Sequence, residues 1–330
     1  MNPDFEPLRV NTGDNEGLLC AFQLTPCLAI EGSADQLAKS GIPVWLHFSL
    51  VDKRARTFLE HRAPIPEEAR AALVEPSARV HLQVFPEGFV IVLGDLHHDF
   101  DSDPDGFGVM RVYVGEQLVI TCREHRLTCV GRLRLRIISE DEPQTSVSLF
   151  EELVHELVEG FARVSVKLSE TVEDAEDEIL AGRFRDQRSE LGRVRRLLAR
   201  LRRHVNANRS ALLPLPKRLS MLDAEQRNRL REVIESFEAV GQDLELVTER
   251  ARLLQEEIAG RLGEATNRNL YLLSILTTTL LPITLITGIF GMNVGGLPFR
   301  DSTHGFWSVV VIMALTVLIT LGFLRRTDVL

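Results

Sequence analysis

Two long windows without a charged residue lie close together near the C-terminal end of the chain, and they constrain its fold more than any other feature. They are residues 269–299 and 305–324. An α-helix of roughly 20 apolar residues crosses the hydrocarbon core of a bilayer, which is about 30 Å thick. Each window is long enough for one crossing, and the segment between them is too short to be a domain. We therefore expect a membrane protein with two spans and a soluble part over residues 1–265.

The charges around the two windows predict an orientation. Lys and Arg favour the cytoplasmic side of a span. Arginines precede the first window and follow the second, whereas the segment between the windows has only Arg300. The flanking residues are Arg250, Arg252, Arg261, Arg268, Arg325 and Arg326. We expect both termini in the cytoplasm and residues 294–304 as an outer loop. The first residues lack an apolar core, so no signal peptide is expected.

Composition and motifs exclude several classes of function. The formal net charge is −9, whereas a nucleic-acid-binding body is normally basic. We find no nucleophile–base motif, no phosphate-binding glycine loop and no nucleotide fingerprint. The sequence therefore predicts neither an enzyme nor a nucleotide or nucleic-acid partner.

Short β-type runs dominate the first part of the chain and predict an α/β domain over residues 1–145. Pro and Gly punctuate these runs, which are residues 18–28, 44–50, 80–85, 89–96, 108–114 and 117–121. Residues 85–89 have the composition of a hairpin turn. Pro66 is expected at the first position of a short helix.

From residue 146 the pattern becomes helical. An acidic stretch, residues 170–178, is followed after Gly182 by a segment rich in arginine, residues 188–203. The simplest structure for such a pair is an antiparallel hairpin bridged by charge, which we assign to residues 146–222.

The last soluble segment, residues 223–268, predicts a stalk helix that runs unbroken into the first span. Its apolar residues recur in steps of three and four, a pattern that packs against other helices. They are Leu230, Val233, Phe237, Val240, Leu244, Val247, Ala251, Leu254 and Ile258. The spans are then residues 269–293 and 305–325, with a cytoplasmic tail at 326–330.

The first span is rich in hydroxyl groups, and they allow two interpretations. Each hydroxyl could bond back to its own helix. Alternatively, one face that alternates hydroxyls with leucines could line a pore, where leucine rings gate by excluding water. That face holds Thr284, Leu281, Thr277, Leu273, Leu270 and Thr266. A chain with two spans cannot enclose a pore alone, so ion passage would require a closed ring of identical subunits.

The triplet Gly291-Met292-Asn293 at the end of the first span resembles the signature of the CorA superfamily of divalent-cation transporters. The residues that follow, 294–298, are similar to those of its ZntB-like, zinc-transporting branch. This resemblance implies a funnel-shaped homopentamer in the bacterial inner membrane, with both termini cytoplasmic. It also implies that the triplet is the selectivity filter and that the hydroxyl–leucine face lines the pore.

Within the implied filter, Asn293 has two interpretations. Five carboxamides in a ring would suit a cation that keeps its waters, since hard ions dehydrate reluctantly. On the bare sequence, Asn293 could instead cap a helix end.

Two differences from the sequence pattern of the magnesium-transporting members bear on which ion is the expected substrate. Phe290 stands where those transporters have Tyr, and Asp301 is the only acid of the outer loop. The resemblance to the zinc branch implies Zn²⁺ transport with no cofactor; uptake linked to a proton gradient is the expected direction, and efflux is the alternative. The alternatives are a CorA-type channel for Mg²⁺, Co²⁺ or Ni²⁺ (Cd²⁺ is also compatible) and a membrane-anchored metal sensor or scaffold that transports nothing.

Other side chains could attract or hold cations. Glu256 and Glu264 would lie at the inner mouth, and Asp301 and His304 at the outer one. A cytosolic sensor site is one interpretation of His97, His98, Asp101 and Asp103, and a solvated loop is the other. A zinc site at Cys122, His125 and Cys129 is weighed against cysteines buried in a strand-rich region.

Overall fold

A computed structural model describes residues 16–77, 79–98, 106–139, 145–183, 186–219, 222–292, 297–298 and 304–326. The chain divides into two compact units, Met1–Gln255 and Glu256–Leu330. The sheet, the helical hairpin and the stalk helix as far as Gln255 all belong to the first unit.

A seven-stranded sheet organises the first unit. Its strands are β1 (Leu18–Leu24), β2 (Cys27–Ala29), β3 (Val44–Ser49), β4 (His81–Phe85), β5 (Gly88–Leu96), β6 (Phe107–Gly115) and β7 (Leu118–Arg123). Their order is β2-β1-β3-β7-β6-β5-β4. Only the β3–β7 pairing is parallel among these described strands. The six predicted runs are confirmed as strands, and the first of them forms two.

Three short helices cover one face of the sheet: α1 (Ala34–Ala38), α2 (Lys53–His61) and α3 (Glu67–Val74). The rings of Phe48 on β3 and Phe58 on α2 stack there with their centroids 5.4 Å apart. The predicted hairpin at residues 85–89 is confirmed, because Phe85 pairs with Gly88 across it. Pro66 is the N-cap of α3 and not its first helical residue, which corrects the expectation by one position.

Longer helices cover the other face: α4 (Thr128–Ser139), α5 (Ser146–Leu180) and α6 (Gln187–Leu212). The ring of Phe150 on α5 meets Phe89 of β5 edge to face at 5.1 Å. Asn208 of α6 is buried and exchanges two 2.8 Å hydrogen bonds with the backbone of Gly94 on β5. The sheet is thus enclosed between two helical layers.

After the short helix α7 (Leu215–Arg218), the helix α8 (Ala224–Gly291) continues for 68 residues. The predicted unbroken stalk and span are confirmed as one helix. Its start is capped reciprocally: Asp223 accepts from the Gln226 N–H at 2.7 Å, and the Gln226 side chain accepts from the Asp223 N–H at 3.0 Å. The stalk's apolar residues are buried, apart from the half-buried Val233.

The charges of the hairpin are arranged differently from the prediction. The acids at the end of α5 and the arginines of α6 make ion pairs with α8. Arg250 of α8 contacts Glu173 and Glu176 at 3.0 and 2.6 Å. Arg202 of α6 lies 2.9 Å from Glu245 of α8. The expectation of direct charge bridging between α5 and α6 overlooked α8, which lies within reach of both.

The second unit contains the end of α8 and the helix α9 (Gly305–Arg326). Both helices carry windows long and apolar enough to cross a membrane, and none of the residues in those windows is buried. An apolar helix with exposed side chains is stable in lipid and not in water, so both segments are assigned as spans.

Candidate transport pathway

The hydroxyl–leucine face forms one continuous stripe on α8. At about 100° per residue, its six residues fall within an arc of about 80°. All six side chains are exposed; for example, Leu270, Leu273 and Leu281 are 55, 61 and 63% exposed. We call the residues Thr266, Leu270, Leu273, Thr277, Leu281 and Thr284 the pore stripe.

The opposite side of α8 differs from the pore stripe. The less exposed residues of the segment cluster there, about 120° or more around the helix from the centre of the pore stripe. They are Ile275, Thr279, Pro282, Ile283, Ile286 and Phe290. The helix therefore has one partly buried face and one face that a single chain leaves entirely open.

The stripe hydroxyls donate their protons to their own helix. Thr266, Thr277 and Thr284 bond the carbonyls four residues earlier at 2.8, 2.8 and 2.9 Å. Back-bonding is thus confirmed for these three threonines. It does not exclude a pore role, because a hydroxyl that donates once still has an oxygen that can accept. A hydrated cation presents water protons, and such an oxygen can bind them.

The C-terminal end of the stripe is described only in part. Gly291 is the last residue of α8, and the backbone N–H of Met292 donates to the Ile289 carbonyl at 3.3 Å. The Met292 side chain is half exposed. Asn293 and Asp301 lie outside the described residues. His304 is exposed, and its carbonyl accepts from the Ser308 N–H at 3.0 Å as α9 begins.

The two acids predicted at the inner mouth are both exposed but occupy different sides of α8. Glu256 continues the pore stripe, about 80° from Thr284 around the helix, whereas Glu264 lies about 160° away. Glu257, the third acid of this stretch, pairs with Arg261 at 2.6 Å, as their i, i+4 spacing predicts, and so has its charge balanced.

The cytosolic metal candidates do not converge among the described residues, where no group of three or more His, Cys, Asp or Glu side chains is placed to hold a metal ion. Cys122 and Cys129 are buried, and burial raises the pKa of Cys122 to about 12. Since metals bind the thiolate, this environment disfavours a zinc site. His125 is exposed, and its ring lies 4.8 Å from that of His97.

The rest of the predicted sensor loop is mostly outside the described part of the chain. His97 and His98 follow the end of β5, where His97 pairs with Leu127 in an isolated bridge. Asp101 and Asp103 are not among the described residues. Sequence reasoning missed the neighbouring Asp95, whose carboxylate accepts from the Cys129 N–H at 3.1 Å and caps the start of α4. Burial raises the pKa of Asp95 to about 6.

Comparisons with known proteins agree with this architecture. The family described as "CorA-like Mg2+ transporter protein" matches residues 40–326. The "Zinc transport protein ZntB" of Pectobacterium atrosepticum is 26% identical over 315 residues, covering 95% of this chain and 96% of that protein.

A second relative connects sequence and structure. The "Divalent cation transporter CmaX" of Pseudomonas aeruginosa is 27% identical over 308 residues, covering 90% of this chain and 92% of that protein. The solved structure of full-length CmaX superimposes with a TM-score of 0.80 at 26% identity, covering 96% of this chain and 99% of that one. With a family match over most of its length, two apolar helices and the long α8, the chain belongs to the CorA family of divalent-cation transporters.

Proposed function

We propose that this chain forms a homopentameric pore that takes up Zn²⁺ across the bacterial inner membrane, driven or modulated by a proton gradient. Zinc is chosen because the relative from Pectobacterium is named a zinc transport protein and aligns over nearly the whole chain. Both termini would lie in the cytoplasm, in keeping with the arginines beside the spans.

The pore stripe is the observation that carries this proposal. A face of leucines and threonines lies open on one side of α8, opposite the partly buried side. Several copies placed around an axis would turn each stripe residue into a ring. The threonine oxygens would contact the ion's waters, and the leucine rings would close the path when water is excluded.

The filter of this pore would be Gly291, Met292 and Asn293. The stripe points toward the end of α8, and Asn293 is two residues beyond that end. A neutral carboxamide ring would hold a hydrated cation without binding it too tightly to release. Glu256, Glu264, Asp301 and His304 would raise the local cation concentration at the two mouths.

A Mg²⁺, Co²⁺ or Ni²⁺ channel is the second candidate, and the description of the matched family favours it. The pore stripe has no nitrogen or sulfur ligand of the kind that Zn²⁺ prefers, so it does not itself distinguish these ions. A sensor or scaffold that transports nothing is the third candidate.

Ion flux into liposomes tests all three. Purified protein would be reconstituted and the uptake of Zn²⁺ and Mg²⁺ compared, with and without an inward proton gradient. We expect Zn²⁺ uptake that the gradient increases, and loss of most of it in Asn293→Ala with assembly intact. Faster Mg²⁺ uptake would favour the second candidate, and no flux of any cation would favour the third. Wild-type flux in assembled Asn293→Ala would reject the filter.

A further inference from the structure

The outward faces of α5 and α6 carry opposite charges. On α5, Glu170, Asp174 and Asp177 are exposed and lie opposite the buried face of the helix; we call them the acidic stripe. On α6, Arg196, Arg200 and Arg203 likewise point away from the buried leucines; we call them the arginine stripe. Both sets follow the spacing of three and four that places residues on one side of a helix.

Apart from the half-buried Arg200, the residues of these stripes are not the groups that hold the unit together. The ion pairs to α8 use other sides of the two helices, through Glu173 and Glu176 on α5 and Arg202 on α6. Within the described part of the chain, the three acids of the acidic stripe, Arg196 and Arg203 take part in no ion pair. Arg200 lies over the Phe107 ring at 6.0 Å from its centroid.

The contacts with α8 show that the two stripes lie at the same level along the helices. By level we mean the position along the direction of the helix axes. Arg250 of α8 contacts Glu173 and Glu176, so it is level with residue 174 or 175 of α5. On α6, Arg202 pairs with Glu245 and Arg195 bonds Gln255, so position 250 falls between those two arginines.

Because α5 and α6 run in opposite directions, this register matches the stripes in order. Glu170 is level with the region of Arg203, Asp174 with that of Arg200, and Asp177 with that of Arg196. A rotation about an axis parallel to the helices preserves these levels.

We propose that the acidic stripe of each subunit packs against the arginine stripe of the next subunit around the ring. This rests on the homo-oligomer of the proposed function. The contact is heterologous, since two different surfaces meet, and it closes only when the ring is complete. A second copy is favoured over an anionic lipid or an acidic peptide because those would use the arginines alone. Only a second copy also explains why the acids match the arginines in order and level. In addition, copies of a chain with net charge −9 repel each other unless opposite charges meet in such a contact.

Site-directed crosslinking of the full-length protein tests the contact. Glu170→Cys and Arg203→Cys would be made singly and together and treated with a short bismaleimide, since the four native cysteines are buried. We expect a ladder up to the complete ring from the double variant and dimers from a mixture of the two single variants. Neither single variant should crosslink alone, and Glu170→Cys with Lys53→Cys is the matched control.

The outcomes separate this proposal from the proposed function. An oligomeric, flux-competent protein whose double variant gives no ladder, or gives no more than the control, overturns the contact alone. Dimers from one single variant would show like stripes meeting and would also overturn it. A monomeric wild-type protein overturns both proposals.

Charge reversal supplies an independent measurement. Arg203→Glu or Glu170→Arg should weaken each contact by about fivefold, the upper end for an exposed ion pair. Combining the two changes should restore the oligomer's resistance to dissociation, measured by native mass spectrometry across a salt series. Two additive losses without restoration would contradict the pairing.

Discussion

The two halves of α8 carry similar apolar spacing and reach opposite environments. In residues 224–255 the apolar side chains that recur in steps of three and four are buried, apart from the half-buried Val233, and the flanking charges pair with α5 and α6. In residues 266–284 the leucines of the pore stripe are more than half exposed. Periodicity thus specifies which side chains share a face, whereas the residues beside that face specify what it meets. Charged flanks select protein neighbours in water, and uncharged flanks leave the face to lipid or to other copies.

Polar side chains in the two regions also differ in how far away in the sequence their hydrogen-bond partners lie. Asn208 reaches from α6 to the backbone of β5, more than a hundred positions away in sequence. The threonines of the pore stripe bond only to carbonyls of their own turn. The core of a bilayer offers no water to polar groups, so a hydroxyl that bonds a carbonyl of its own helix is a stable arrangement there.

The largest expected effect compares two apolar truncations in the same helix. Phe237→Ala empties a fully buried site and should reduce the free energy of unfolding by about 3–5 kcal/mol. Leu281→Ala removes an exposed side chain and should leave the stability of the first unit unchanged. The measurement is chemical unfolding in detergent followed by the fluorescence of the buried Trp45, with Trp307→Phe as background.

Equal losses in the two variants would contradict the comparison, because they would mean that the pore stripe is packed as tightly as the stalk. A change of ion flux in Leu281→Ala without a change of stability would instead support the comparison, since the pore stripe would then act on ions and not on folding.

A second, smaller effect compares two polar groups. Asn208→Ala leaves the N–H and C=O of Gly94 buried without partners, which should cost about 1–3 kcal/mol of stability. Thr277→Val keeps the shape of the side chain and removes one hydroxyl that bonds its own helix. We expect stability within about 0.5 kcal/mol of the wild type, as for a substitution away from the core, and slower ion flux. Unchanged flux in Thr277→Val would remove Thr277 from the pathway.

Local features were predictable from the sequence because they depend on neighbouring residues. The strands of the sheet, the turn at residues 85–89 and the unbroken α8 follow from periodicity and from Pro and Gly. Helix geometry also predicts that the hydroxyl and leucine residues share one side, since a helix places every third and fourth residue there; the choice of this side as the pore lining came from the family resemblance.

Long-range features were not predictable. No local pattern shows that Asn208 bonds the backbone of Gly94 on β5, or that the arginines of α6 pair with α8 instead of α5. Those choices depend on how three helices pack, which one sequence does not specify. The charge pattern correctly indicated complementary helices but not the partner of each.

The smallest expected effect is a change of stability with pH. It concerns only the first unit, because the pore stripe has no titratable side chain. Burial, together with the positive charges of Arg123 and Arg134, lowers the pKa of His47 to about 3. Its Nδ1 lies 2.7 Å from Thr121 Oγ1, and Arg123 Nε donates to its Nε2 at 3.0 Å. The folded protein keeps this ring neutral, while the unfolded chain binds a proton below about pH 6.5. The stability that His47 contributes is therefore present above that pH and lost as the pH falls through it.

Asp95 acts in the opposite direction over part of the same range. Burial raises the pKa of Asp95 to about 6, so its contribution is present at low pH and lost as the pH rises through that value. Between pH 7.5 and 5 the contributions of His47 and Asp95 oppose each other. Burial also lowers the pKa of His204, so its contribution is lost on acidification as that of His47 is. In His47→Gln the loss at His47 is absent, so the variant should lose less stability on acidification than the wild type. Urea unfolding followed by Trp45 fluorescence at both pH values measures the difference, and an equal or larger loss in His47→Gln would contradict the sign. Leu281→Ala, whose change lies in the pore stripe, should reproduce the wild-type response; a different response there would show that the two regions are coupled.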